Sequence, residues 1–86
     1  MRGRDLVGRN VRRVRVQKGI SQERLAFDSD VDRSYLGGVE RGEANPTVDI
    51  LDRLAATLGV PLAEIFAEFG EDFPEIQGLP RGRKPG

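Results

Sequence analysis

Residues 21–47 read SQERLAFDSDVDRSYLGGVERGEANPT. Within this stretch Ser21, Asp32 and Thr47 each stand immediately before a run of helix-compatible sequence. A side-chain oxygen at such a position accepts one of the free amide hydrogens of a helix's first turn, so each of the three is a candidate N-cap. The stretch predicts a helix over residues 22–29 with Leu25 and Ala26 inward. A turn at Asp30-Val31-Asp32 follows, and then a helix over residues 33–41 that Gly42 ends. Asp30 tolerates the left-handed conformation that a tight turn between helices demands.

Working outward toward the N-terminus, Val7, Val11 and Val14 recur at spacings of four and three. That periodicity predicts a first helix over residues 5–18, with Asp5 as its N-cap and Gly19 as its stop. On the other side, Thr47 caps a helix whose Ile50, Leu51, Leu54, Ala55 and Leu58 form the most regular apolar stripe in the chain. Gly59-Val60-Pro61 interrupts it. Pro61 then opens a fifth helix running through about Phe69, with Leu62, Ile65, Phe66 and Phe69 apolar. No segment alternates with the period of a strand, so the expected architecture is all-α, five helices around one core. The domain is expected over residues 1–69. Residues 70–86, rich in glycine, proline and charge with Phe73 and Ile76 as isolated anchors, are expected to be a tail with little order of its own.

Composition narrows the chemistry. The 86 residues include no cysteine and no histidine, which removes disulfides, thiol nucleophiles, the usual zinc sites and imidazole acid-base catalysis. With no nucleophile-base pair and no ligand cluster in view, the chain is not expected to be an enzyme or to carry a cofactor or metal. No apolar stretch suits a membrane span or a leader peptide, so a cytoplasmic location is expected. The formal net charge is zero, but the charges are segregated. Residues 1–42 hold ten Lys/Arg against six Asp/Glu, residues 43–80 hold only Arg53 against eight acids, and Arg81, Arg83 and Lys84 close the chain. Such blocks either place positive potential on one side of a neutral molecule or simply form solvated faces.

The capped pair of helices, the Val39-Glu40-Arg41-Gly42 helix end, Asn45-Pro46-Thr47 and the Leu58-Gly59-Val60-Pro61 turn together resemble the Cro/repressor-type helix-turn-helix domain (XRE family) of bacterial and phage regulators. The resemblance runs over roughly residues 7–66 and implies a compact, five-helix, lambda-repressor-like DNA-binding domain. It also implies a transcriptional regulator that reads double-stranded DNA with the helix over residues 33–41. Independently of the family, Leu36, Val39 and Glu40 fall on one stripe of that helix, and Arg33, Ser34, Gly37, Gly38 and Arg41 fall on the opposite one. An outward arginine at the helix start can donate two hydrogen bonds to guanine O6 and N7, and Ser34 can reach an adjacent base edge. Bare glycines there either let the backbone approach the groove or allow close helix packing.

Gln22 opens a helix whose free amides and dipole favour a phosphate, and the resemblance implies a DNA contact for it; otherwise it is a solvated first-turn residue. By resemblance Tyr35 and Arg41 touch flanking phosphates, although Tyr35 could equally pack at the core edge. Arg9, Arg12, Arg13 and Arg24 add to the field or are simply solvated. The resemblance further pairs Arg15 with Glu40 as a partly buried, structural ion pair. Relatives often carry glycine where Asp30 stands and serine where Gly37 stands.

Pro80-Arg81-Gly82-Arg83-Lys84-Pro85 resembles an AT-hook, in which Arg81 and Arg83 extend along a narrow minor groove and Gly82 lies on its floor. The other reading is a basic tail with nonspecific attraction only. Arg2-Gly3-Arg4 is a second candidate arm. Phe66, Phe69 and Phe73, spaced by three and four, suit either a homodimer seam beyond the core or, for the first two, completion of the core itself. A dimer would bind a pseudo-palindromic operator with half-sites about one DNA turn apart. Repressor, restriction-modification controller and antitoxin all fit this domain. A protein-interaction module with a protein partner at the acidic, Phe-containing end is the alternative from another class.

Overall fold

The structure, a computed structural model, describes residues 2–68. Helix α1 (Gly3–Gln17) begins two residues before the expected Asp5. Its cap position is Arg2, whose carbonyl accepts from the amides of Asp5 and Leu6 at 3.1 Å each. Asp5 lies in the first turn, where its carboxylate pairs with the Arg2 guanidinium at 3.1 Å. The acid thus complements the helix dipole from within the helix and does not cap it. Val7, Val11 and Val14 enter the core as the periodicity predicts.

Helices α2 (Gln22–Ser29), α3 (Arg33–Glu40) and α4 (Val48–Leu58) carry the expected caps. Ser21 Oγ accepts from the Arg24 amide at 3.0 Å, an Asp32 carboxylate oxygen from the Tyr35 amide at 3.1 Å, and Thr47 Oγ1 from the Ile50 amide at 3.1 Å. Asp30 stands at φ 59°, ψ 46°, in the left-handed region. There it lets the Val31 amide reach back to the Ala26 carbonyl at 2.9 Å and close α2. Gly42 does the corresponding job for α3 at φ +75°, with the Glu43 amide on the Gly38 carbonyl at 2.9 Å.

Helix α5 (Leu62–Ile65) has four residues, where the apolar pattern predicts a helix reaching Phe69. The cause lies far away in the sequence. The buried Asn10 of α1 donates both amide hydrogens, one to the Ile65 carbonyl and one to the Ala67 carbonyl, each at 2.8 Å. The Ile65 carbonyl is the acceptor that a continuing helix would offer to residue 69, so the α1 side chain caps α5 early. Pro61 occupies the cap position, with α5 beginning at Leu62. Phe66, just past the helix, is 44% exposed and does not complete the core. Phe69, Phe73 and residues 70–86 lie outside the described residues, as does the continuous seam expected to join the phenylalanines.

All five helices share one core, in which Leu25, Leu36, Leu54, Leu58 and Ile65 are fully buried. Helix α1 packs on α3, α4 and α5, and α2 packs on α3 and α4. Gly8 is where α1 meets α3 most closely: a β-carbon there would collide with the carbonyl oxygens of Val39 and Glu40. With that contact made and α4 beneath α2, the angle between α2 and α3 is set by packing on both sides.

Candidate nucleic-acid interface

Helices α2 and α3 each start with a cap oxygen in place, and their first residues, Gln22 and Arg33, meet through their side chains. At this corner Arg33, 56% exposed, donates from Nη1 to Gln22 Oε1 at 3.2 Å, while its Nε stands 3.8 Å from a Glu23 carboxylate oxygen. Ser34 beside it is exposed. A polar first turn on a helix backed by a rigid neighbour can enter a groove about 12 Å wide and meet base edges there.

Behind the corner, Arg15 and Glu40 form a two-point ion pair, Nε to Oε2 at 2.7 Å and Nη2 to Oε1 at 3.0 Å. The side chains are only 13% and 3% exposed. Arg15 Nη1 also donates to the Ile20 carbonyl at 2.9 Å, and Gln22 Nε2 donates to Glu40 Oε1 at 2.9 Å. The hydrogen bonding of Arg15 to Glu40 raises the Arg15 pKa against the opposing effect of burial, so this cation keeps its charge. The pair thus ties α1, α3 and the α1–α2 connection together.

A family model described as Helix-turn-helix, HTH_3, matches residues 11–65, more than half of the chain. The chain belongs to the HTH_3 helix-turn-helix family. Its relatives include the HTH-type transcriptional regulator SlrR of Bacillus subtilis (strain 168), 45% identical over 74 residues, 85% of this chain and 49% of SlrR. The HTH_3 chain therefore spans about half the length of that relative. The control protein C.BamHI of Bacillus amyloliquefaciens is 41% identical over 56 residues, 64% of this chain and 69% of that one. Among solved structures, the restriction-modification controller protein C.AhdI from Aeromonas hydrophila superposes with a TM-score of 0.71 at 44% identity. The match covers 73% of this chain and 96% of that one. Among the described residues the elements are five helices and no strand, as the sequence leads one to expect, and their arrangement is the HTH_3 fold.

On this HTH_3 frame the structure brings together Gln22, Arg33 and Ser34 at the α2–α3 corner, with Arg41 at the far end of α3. Arg41 is exposed and its Nε pairs with Glu43 at 3.1 Å. Tyr35 is half-buried and packs against the core cluster, in line with the alternative that places it at the core edge. The two glycines differ from their expected outward placement: both are buried. A β-carbon on Gly37 would stand 3.0 Å from Arg41 Nη1 and 3.9 Å from Gln22 Oε1, and one on Gly38 would stand 3.7 Å from Ala44 Cβ. Gly37 is covered by the side chains of Arg41, which caps the end of α3, and Gln22 of α2, and Gly38 by the chain folding back after α3. Arg81, Gly82 and Arg83 lie outside the described residues.

Three residues that position this HTH_3 site escaped the sequence reading. Arg53 of α4 donates to the Ser29 and Asp30 carbonyls at 3.1 and 2.9 Å, satisfying the end of α2 at the turn between α2 and α3. It is the only cation in the acidic block of residues 43–80, a signal that was visible. Asn10 interrupts the valine stripe of α1 at a core position, and Gly8 sits mid-helix beside that stripe. A polar or absent side chain on a core face marks a required partner or a close approach.

Proposed function

We propose that the chain is a sequence-specific DNA-binding transcriptional regulator that lays α3 in the major groove, with Arg33 on a guanine edge and Ser34 beside it. The observation that carries this is the α2–α3 corner: two capped helix starts held at one angle, with an exposed arginine and a hydrogen-bonding glutamine between them. Similarity to SlrR, C.BamHI and C.AhdI supports the regulatory role. Gln22 and the α2 amides, Tyr35 and Arg41 lie toward the flanking phosphates, setting register without reading sequence. Gly38, being buried, has no part in this contact surface.

A homodimer on a pseudo-palindromic operator, with half-sites about 34 Å apart, follows from the way such small domains gain affinity and specificity. Arg81, Gly82 and Arg83 are proposed to reach the minor groove of adjoining A/T-rich DNA, and the protein to act in the cytoplasm. Selection of bound duplexes from a random pool at near-physiological salt tests the reading. A two-fold-related motif supports it, and a folded protein that enriches no motif overturns it.

One observation favours an additional contact with a protein. Phe27 of α2 is 81% exposed at a shallow concavity lined by Ala26, Asp30, Val31 and Asp32. If that contact exists, Phe27→Ser leaves DNA binding by the purified protein unchanged and alters regulation of a reporter in cells.

A further inference from the structure

The outer face of α1 carries Arg9, Arg12, Arg13 and Val16, spaced so that they lie on one side of the helix. Arg9, Arg12 and Val16 are exposed, Val16 by 55%. The three arginines line a shallow concavity together with Glu40, whose carboxylate oxygens are already engaged by Arg15 and Gln22. Helix α1 as a whole holds five arginines and a single acid, Asp5. A cationic face with one bare apolar side chain suits a segment that bears acids and an aromatic residue.

The course of the chain after α5 supplies that segment. Glu64 of α5 reaches α1 and pairs with Arg13 at 2.8 Å. Two residues past α5, the Ala67 carbonyl accepts from Asn10 at 2.8 Å, one position along α1 from Arg9. Glu68, the last described residue, is exposed. Residues 68–75 read EFGEDFPE, with four acids, two phenylalanines and no base. These acids set out from a point fixed against the arginine face. Tethering over a few residues gives an effective concentration of about millimolar, which populates contacts too weak to hold separate molecules together. We propose that the acidic segment of residues 68–75 docks along the α1 face of Arg9, Arg12, Arg13 and Val16, with its carboxylates on the arginines and a phenylalanine over Val16. Docked there, it compensates the charge of that face and lowers the attraction of α1 for any polyanion, DNA included. Only this screening of DNA rests on the regulator reading; the docking does not.

The chain has no cysteine, so Gln77→Cys gives the full chain a single site for a nitroxide label, whose paramagnetic broadening is read on the backbone amides by NMR. The expected result is broadening strongest at residues 9–16 of α1. It should fade at about 1 M salt, where the Debye length falls to about 3 Å, and in the Arg9→Gln, Arg12→Gln variant. Broadening strongest at the α2–α3 corner would put the segment on the proposed DNA face. Broadening strongest at α5, where the chain departs, would leave the segment undocked, and either result overturns the proposal. So would equal broadening of an isotope-labelled chain by a separate nitroxide-bearing chain, which would assign the segment to a second copy. The screening is read from binding to an unrelated duplex across a salt series. Glu71→Gln, Asp72→Asn and Glu75→Gln together should raise affinity roughly tenfold and steepen the salt dependence, and should do neither once Arg9→Gln and Arg12→Gln are present. An equal gain in both backgrounds would mean that the acids repel DNA without resting on α1, and no gain in either would remove the screening role. A chain that binds no duplex at all fails the regulator reading, and the broadening alone then decides the docking.

Discussion

Arg33 and Glu40 stand at opposite ends of one helix, and their substitutions should fail in different ways. Replacing Arg33 by alanine removes a surface side chain, so melting should be unaffected while discrimination at one base pair falls by about 1–3 kcal/mol, roughly 5- to 150-fold. Competition binding against single-base variants reads this directly. Glu40→Ala instead strands Arg15, whose side chain is only 13% exposed, and should cost about 3–5 kcal/mol of stability in urea denaturation. Its loss of DNA binding should track the unfolded fraction. The exposed, polar character of Arg33, Ser34 and Arg41 was legible because helical spacing assigns faces. For Gly37 the sequence left close packing on α2 open beside an approach to the groove, and the burial of Gly38 was not legible. A residue with no side chain is covered or bared by what its neighbours do, here Arg41 and Ala44, and spacing within α3 is silent about both.

Helix starts were readable in residues 21–47 because a cap oxygen and its amide lie three residues apart, so the whole interaction sits within the local sequence. The end of α5 was not readable, because its capping side chain comes from α1, 55 residues earlier. Asn10→Leu should therefore cost about 1–3 kcal/mol, as the Ile65 and Ala67 carbonyls lose their partner. Hydrogen exchange should rise first around α5. Arg53 acts on α2 in the same non-local way. Arg53→Met should cost about 1 kcal/mol, since water can replace the guanidinium at carbonyls near the surface. The amides of the last turn of α2 should then exchange faster while those of α5 stay protected. Phe27→Ser, at a side chain already in solvent, should alter stability by no more than about 0.5 kcal/mol.

At the level of the whole molecule, a formal charge of zero conceals a basic first half and an acidic segment after it. Binding to DNA should accordingly weaken with added salt in spite of the neutral total. If the Arg81-Gly82-Arg83 segment takes part, the double substitution Arg81→Ala, Arg83→Ala should retain the selected motif, lose preference for A/T-rich flanks and lower the salt slope by about two. Salt-dependent binding of both proteins checks this. The turn between α2 and α3 has a separate consequence for the molecule's heat resistance. Asp30 occupies a backbone conformation that disfavours any β-carbon, and Arg53 holds it by its main-chain oxygen, which every amino acid possesses. Aspartate and glycine codons differ by a single nucleotide. A more thermally robust form of this domain thus lies one point mutation away, at a site where nothing that touches DNA has to change.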